Sequence, residues 1–271
     1  FIFTTSSFTF EGQYKFNPNR DTHFVTQSLA RLQTTGSVSP AQFEATVANL
    51  LYNSSSQEIT LVINDSPNSL SLPTSTPVLT TLKLNNVNLF DNSLWNVSFG
   101  VESGRSTGNV NSGSIFLRAG KSNAGEMTAN HVTTSFYNRP VDGSNSPKSL
   151  FSNISRPVNA SGSFITIGSQ SLGGGSAGMF LNNNTLNEYH RTTHFSGELG
   201  SVKFYSKKVE ISEWQEHVRN PLSIGVSDPS KNYLFESDKS GSFEKLRLYT
   251  FTKQNTTSSK STGAFRYFDF S

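Results

Sequence analysis

Residues 7–16, Ser-Phe-Thr-Phe-Glu-Gly-Gln-Tyr-Lys-Phe, set large rings in alternation with polar residues. A helix would need its apolar residues three and four apart; a period of two defines a strand with one face turned to a core. Phe8, Phe10, Tyr14 and Phe16 are the predicted inward set, and Asn17-Pro18-Asn19 stops the strand.

The same pattern recurs. Strands are predicted at 58–64, 80–89, 95–101, 114–119, 164–168 and 199–205. Turn clusters such as Asp65-Ser66-Pro67-Asn68 and Asp142-Gly143-Ser144 separate them. Two stretches carry helical signals. Residues 40–52 are ambiguous, with Phe43, Val47, Leu50 and Leu51 near a 3.6 period among β-branched neighbours. Residues 212–219 are clearer: Ser212 and Gln215 fit a capping box, Ile211, Trp214 and Val218 share a side, and Pro221 closes the segment. This short helix is expected to plug one mouth of the fold. Two long polar stretches, 120–148 and 169–193, read as connections.

Many short strands between turns predict an all-β chain, a two-sheet antiparallel β-sandwich of jelly-roll form with one short helix. The apolar fraction is only 34%, but 22 phenylalanines can fill the core, since each ring buries roughly 150–250 Å². The expected division is a sandwich over 1–219 and a C-terminal β extension or linker over 220–271, with further strands at 232–235, 243–251 and 264–270. The chain opens at Phe1 and ends in strand-like sequence, so it is expected to be part of a longer polypeptide.

A net charge of +3, with Lys and Arg scattered, gives no footprint for nucleic acid. The absence of cysteine removes disulfides, thiolate metal sites and thiol nucleophiles. No apolar run approaches the roughly 18 residues of a membrane span.

The opening strand at 7–16, the segment 89–99 running from Leu89 through Asp91 into Trp95, and the closing segment 164–214 together resemble the laminin-G-like, concanavalin A-like lectin/glucanase superfamily. The closing segment is the most specific. Phe164-Ile165-Thr166-Ile167-Gly168 is followed by a loop, then Phe195-Ser196-Gly197-Glu198-Leu199, Lys207-Lys208-Val209 and the helix start at Ile211-Ser212-Glu213-Trp214. The resemblance covers about 7–219 and extends to similar domains in virion structural proteins of large DNA viruses and phages. It implies a structural and adhesive module of a larger extracellular or virion-surface protein, such as a fibre, spike or tail component. The expected partners are other subunits of that assembly and cell-surface glycans. The alternative is a free-standing carbohydrate-binding lectin or degenerate glucanase-like domain.

Family glucanases carry E-x-D-x-x-E on one strand, placing acid and nucleophile about 5–5.5 Å apart. No such pattern occurs. Glu210, Glu213 and Glu216 fall in the helical segment, and Asp228, Glu236 and Asp238 in turns. No catalytic residue is therefore named, and the chain is expected not to be an enzyme. His190 and His194 have metal-ligand spacing, but His23, His131 and His217 are scattered and no helix is predicted there. The resemblance admits calcium, yet Asp65, Asp91, Asp142 and Asp228 stand apart in turns, where aspartates bond their own backbone. No metal or cofactor is expected. The resemblance implies sugar binding by rim-loop amides beside a ring, and Asn182, Asn183, Asn184, Tyr189 and His190 form the candidate patch. Trp95 and Trp214 are assigned to packing. Acceptor sequences for N-glycans begin at Asn53, Asn64, Asn96, Asn153, Asn159, Asn183 and Asn255.

Overall fold

The computed structural model describes residues 7–17, 25–38, 41–64, 79–107, 110–140, 160–167, 195–224 and 246–251. In chain order the elements are β1 (Phe8–Lys15), β2 (Thr26–Val38), β3 (Ala41–Asn53), β4 (Glu58–Asn64), β5 (Leu79–Leu84) and β6 (Leu94–Thr107). β7 (Val110–Asn123), β8 (Glu126–Pro140), β9 (Ala160–Thr166), β10 (Glu198–Tyr205), helix α1 (Ile211–Arg219) and β11 (Leu246–Phe251) follow. A six-stranded sheet has the order β11-β10-β1-β6-β7-β8, and a five-stranded sheet has the order β5-β4-β3-β2-β9. Every pairing is antiparallel. The all-β, two-sheet sandwich with one short helix is the observed fold.

The alternation in β1 has the predicted result. Phe8, Phe10, Tyr14 and Phe16 all join the core between the sheets. Phe8 stacks on Phe204 at 5.6 Å and meets Phe99 edge-on at 6.3 Å, while Phe10 lies 5.2 Å from Phe99. The facing sheet supplies Leu29, Leu32, Leu50, Tyr52, Ile59, Leu61 and Ile63. Tyr14 ties the layers together by donating its hydroxyl to the Leu29 carbonyl at 3.1 Å.

The intervening residues of β1 depart from the half-buried strand the alternation predicts: Thr9, Glu11 and Gln13 are buried as well. A second layer covers this outer face. Thr9 Oγ1 donates to the Lys207 carbonyl and accepts from the Val209 amide, each at 2.9 Å, and α1 continues the cover. The helix packs across β6, β7 and β8 on the outside of the sheet, not in a mouth of the sandwich as expected. Its cap also differs. The capping box is Glu210 with Glu213, whose carboxylate accepts from the Glu210 amide at 3.0 Å, so Ser212 is already inside the helix. Trp214 and Val218 are buried as expected, but Ile211, the first residue of the helix, is exposed.

Two glycines permit close approaches on this outer face, Gly120 to the helix and Gly100 within the sheet. A Cβ on Gly120 would lie 3.0 Å from the Trp214 ring and 3.2 Å from Val218. A Cβ on Gly100 would run into the Phe8 carbonyl and come within 2.6 Å of the Phe116 ring. Backbone cannot yield as a flexible side chain can, so Gly100→Ala is expected to cost about 1–3 kcal/mol. A urea unfolding curve measures this; an unchanged midpoint would contradict the close approach.

Several other expectations change. Of the stretch expected to be helical, residues 41–52 belong to β3 (Ala41–Asn53), where β-branched neighbours and pairing on both sides override the weak helical period. The strand predicted at 80–89 stops at Leu84. β2 carries no clear strand signal in the sequence, being rich in Thr, Ser and Gln. The polar stretch 120–148 is not a connection over its first two thirds: it completes β7 and forms β8. Residues 246–251 pair with β10 at the sheet edge. The stretches 169–193, 232–235 and 264–270 lie outside the described residues. Among the described residues, no helix is long and apolar enough to cross a membrane.

Candidate functional site

Strand register aligns Tyr249, Lys203, Glu11, Ser98, Arg118 and Val132 in one row across the outer face of the six-stranded sheet. The helix lays His217 over this row. Its Nδ1 lies 3.0 Å from both carboxylate oxygens of Glu11, so Nδ1–H donates to the carboxylate. Tyr205 stacks on the His217 ring at 5.8 Å and donates its hydroxyl to the Ile224 carbonyl at 3.1 Å. Lys203 Nζ donates to the carbonyls of Pro221, at 3.1 Å, and of Ser223. Arg118 lies on the Phe116 ring at 4.2 Å and donates Nη1–H to the Val209 carbonyl at 2.8 Å. Trp214 Nε1–H donates to Asn96 Oδ1 at 2.9 Å.

Burial alone would push the Glu11 carboxyl up, but the His217 imidazole and the Lys203 ammonium outweigh it and hold the group below the ordinary carboxylate range. Burial lowers Lys203, against the pull of Glu11, and lowers Arg118 to about 10. His217 Nε2, Ser98 Oγ and Arg118 Nε are buried with no hydrogen-bond partner. Glu11, Arg118, Lys203 and His217 are each at most 2% exposed, so no solute reaches them unless the helix is displaced. The charges of this row serve to fix α1 to the sheet.

The mouth of the sandwich is different. Residues 85–93, Asn-Asn-Val-Asn-Leu-Phe-Asp-Asn-Ser, connect β5 to β6. Val87 and Leu89 point into the core, Gln57 accepts the Val87 amide at 2.8 Å, and the Tyr52 hydroxyl accepts the Leu89 amide at 3.1 Å. Phe90 stacks on Phe16 at 4.9 Å. Asp91 Oδ1 accepts from the Ser93 amide at 2.9 Å and from Trp95 Nε1 at 3.0 Å, while Oδ2 pairs with Lys121. Although burial raises it, the Asp91 carboxyl is held below its ordinary value by these donors, Lys121 foremost. Lys121 also sits 5.0 Å over the Trp95 ring, and His131 of β8, two strands away in the sheet, lies 6.1 Å from that ring.

This pinned loop displays Asn85, Asn86, Asn88 and Asn92 to solvent. Asn86 (φ 60°) and Asn92 (φ 62°) hold the left-handed conformation that asparagine tolerates better than most residues. An exposed amide carries a carbonyl acceptor and two N–H donors; Asn88 Oδ1 already accepts the Phe90 amide at 3.0 Å, so Asn88 turns chiefly its donors outward from this anchored frame. Such a frame fits a ligand rich in hydroxyl groups, because little conformational freedom is lost on binding.

The patch expected for sugars, Asn182, Asn183, Asn184, Tyr189 and His190, lies outside the described residues, as do His23, His194, Asp65, Asp142 and Asp228. Of the turn aspartates, Asp91 is described, and its oxygens are engaged by Trp95, Ser93 and Lys121. Among the described residues, no group of three or more His, Cys, Asp or Glu side chains could hold a metal ion. Of the helical acids, Glu210 and Glu213 cap α1 and Glu216 is buried. Trp95 and Trp214 pack as expected. The acceptor at Asn96 is buried against Trp214, which leaves no room for a glycan. The sequence hides Asn85, Asn86 and Asn88 in the strand expected at 80–89, because Leu82, Leu84, Val87 and Leu89 carry its apolar alternation past the true strand end at Leu84.

The sheets and helix define the chain as an all-β sandwich. No family model matches the sequence, and no curated protein does either. Among solved structures the chain is similar to the enzymatically active domain of tailspike protein 2 of bacteriophage CBA120, at 11% identity and a TM-score of 0.41, over 92% of this chain and 27% of that one. It is also similar to an alginate lyase from Pseudomonas aeruginosa, at 14% identity and a TM-score of 0.27, over 52% of this chain and 49% of that one. Both of those proteins are enzymes, and on that finding the expectation that this chain is not an enzyme is withdrawn. At these scores the likeness carries no residue, substrate or activity over to this chain.

Proposed function

We propose that the chain is a structural and adhesive module of a larger extracellular or virion-surface assembly, and that its mouth loop, residues 85–93, contacts glycans. The observation that carries the glycan reading is the rigid display of Asn85, Asn86, Asn88 and Asn92 on a loop anchored by Val87, Leu89 and Asp91. The modular reading rests on the resemblance to laminin-G-like, concanavalin A-like domains. Two features support that resemblance: Phe195-Ser196-Gly197 leads directly into β10, and a helix starting at Ile211 follows that strand in chain order.

The test is a glycan array probed with the 271-residue chain and with a double variant, Asn85→Ala with Asn86→Gly. Glycine keeps the positive φ at position 86, so the fold is preserved. The expected result is selective binding by the parent chain and a loss of about tenfold or more in the variant, equivalent to about 1.4 kcal/mol. Absence of selective binding, or equal binding by both proteins, would overturn the proposal.

A further inference from the structure

β8 is the outermost strand of the six-stranded sheet, and its pairing with β7 runs in unbroken register from Ala129 to Pro140. Among the described residues nothing pairs with its other edge. Proteins usually guard such an edge with charges, a proline or a bulge, because its free backbone groups are a template for another strand. Here no charged residue, proline or glycine occurs between Glu126 and Arg139. The one bulge in the β7–β8 pairing, at the start of the strand, leaves the register of the remainder regular.

The side chains on this strand also match themselves. Asn130, Val132, Thr134 and Phe136 lie on the outer face, since Val132 opposes Arg118 and Thr134 opposes Phe116. His131, Thr133 and Ser135 take the inner face opposite Ala119, Leu117 and Ile115. Val132 is 40% exposed and Phe136 82% exposed. A two-fold axis perpendicular to the sheet keeps each face on its own side. With that axis at Thr134, Phe136 of each copy falls opposite Val132 of the other, and Ser135 opposite Thr133. Aromatic–β-branched pairs of this kind are among the stabilising cross-strand pairs, and no like charges meet.

We propose that the free edge of β8 is a self-association surface that takes the β8 strand of a second copy of this chain, antiparallel, about a two-fold axis at Thr134. The interface is isologous and joins the two six-stranded sheets into one. An edge pairing buries little area compared with a standard interface of about 1,200–2,000 Å², so the association is weak and concentration-dependent.

Sedimentation velocity over a concentration series of the full chain tests this, alongside two double variants at these exposed positions. Val132→Lys with Phe136→Lys places like charges opposite each other twice and is expected to weaken association by about tenfold or more. Val132→Lys with Phe136→Glu places opposite charges in the same register and is expected to restore it. Circular dichroism of each variant checks that the sandwich is intact. A parent chain that stays monomeric at every concentration would overturn the proposal and leave the edge to a different strand. Association that ignores both variants would overturn it by placing the contact elsewhere, and failure of the Lys/Glu variant to recover would overturn the register.

Discussion

Replacing Glu11 with Ala is expected to cost about 3–5 kcal/mol of folding stability, because it leaves buried cations without their anion. Glu11 sits 2% exposed between Lys203 and Ser98 in the strand row and under His217 from the helix. Its removal strands the Lys203 ammonium and the His217 Nδ1–H in a site that water cannot enter. The pH dependence follows from the depressed carboxyl. A group held below its ordinary value stabilises the fold fully above that value, and the contribution is lost as pH falls through the depressed one. The gap between parent and variant is therefore expected to be complete at neutral pH and to narrow in acid, below about pH 4. Asp91 and Glu102 are held low as well, in both cases against the upward push of burial: Asp91 foremost by its bond from Lys121, and Glu102 foremost by its bond from Lys208, followed by Ser114. They add acid sensitivity of the same sign. Chemical denaturation at a series of pH values measures the gap. A gap of the same size at pH 3 and pH 7 would contradict the charged state assigned to Glu11.

Trp214→Ala is the second large effect, at about 3–5 kcal/mol. The ring fills the space left open by Gly120, and its Nε1–H satisfies the buried Asn96 carbonyl. Truncation therefore opens a cavity and leaves an acceptor unpaired. Trp214→Phe keeps most of the apolar contact and loses only the hydrogen bond, so about 1–3 kcal/mol is expected. Urea unfolding of both variants gives the ratio. Equal losses would mean that the hydrogen bond, not the ring volume, holds the helix.

These two positions also mark how far the fold could be read from the residues. The alternation of Phe8, Phe10, Tyr14 and Phe16 identified the inner face of β1, and β4 emerged with its observed bounds. Alternation reports apolar residues only. Thr9, Glu11 and Gln13 look like a solvent face by that measure, and nothing local shows that a strap and a helix from some 200 residues later cover them. The sequence of β8 resembles a connection for a related reason. An edge strand with one shielded inner face needs few apolar residues, so Thr133, Thr134 and Ser135 resemble a loop. The helix was found, but its cap was misplaced by two residues, since Ser212-x-x-Gln215 and Glu210-x-x-Glu213 compete for the same motif. The amides expected to bind sugars at 182–184 lie outside the described residues. The proposed loop at 85–93 is hard to see in the sequence, because Asn85, Asn86 and Asn88 alternate with Val87 and Leu89 like strand residues, and its anchoring depends on Tyr52 and Lys121 from distant strands.

A helix fastened to the outside of a β-sheet by buried charge is the central feature of this fold. A double-mutant cycle on Glu11→Gln and His217→Gln, read by chemical denaturation, tests that fastening directly. The predicted result is a coupling of about 1–3 kcal/mol between the two positions, as expected for buried groups in direct contact. Strictly additive losses would mean that the two side chains do not meet, and the arrangement of α1 over the sheet would be wrong.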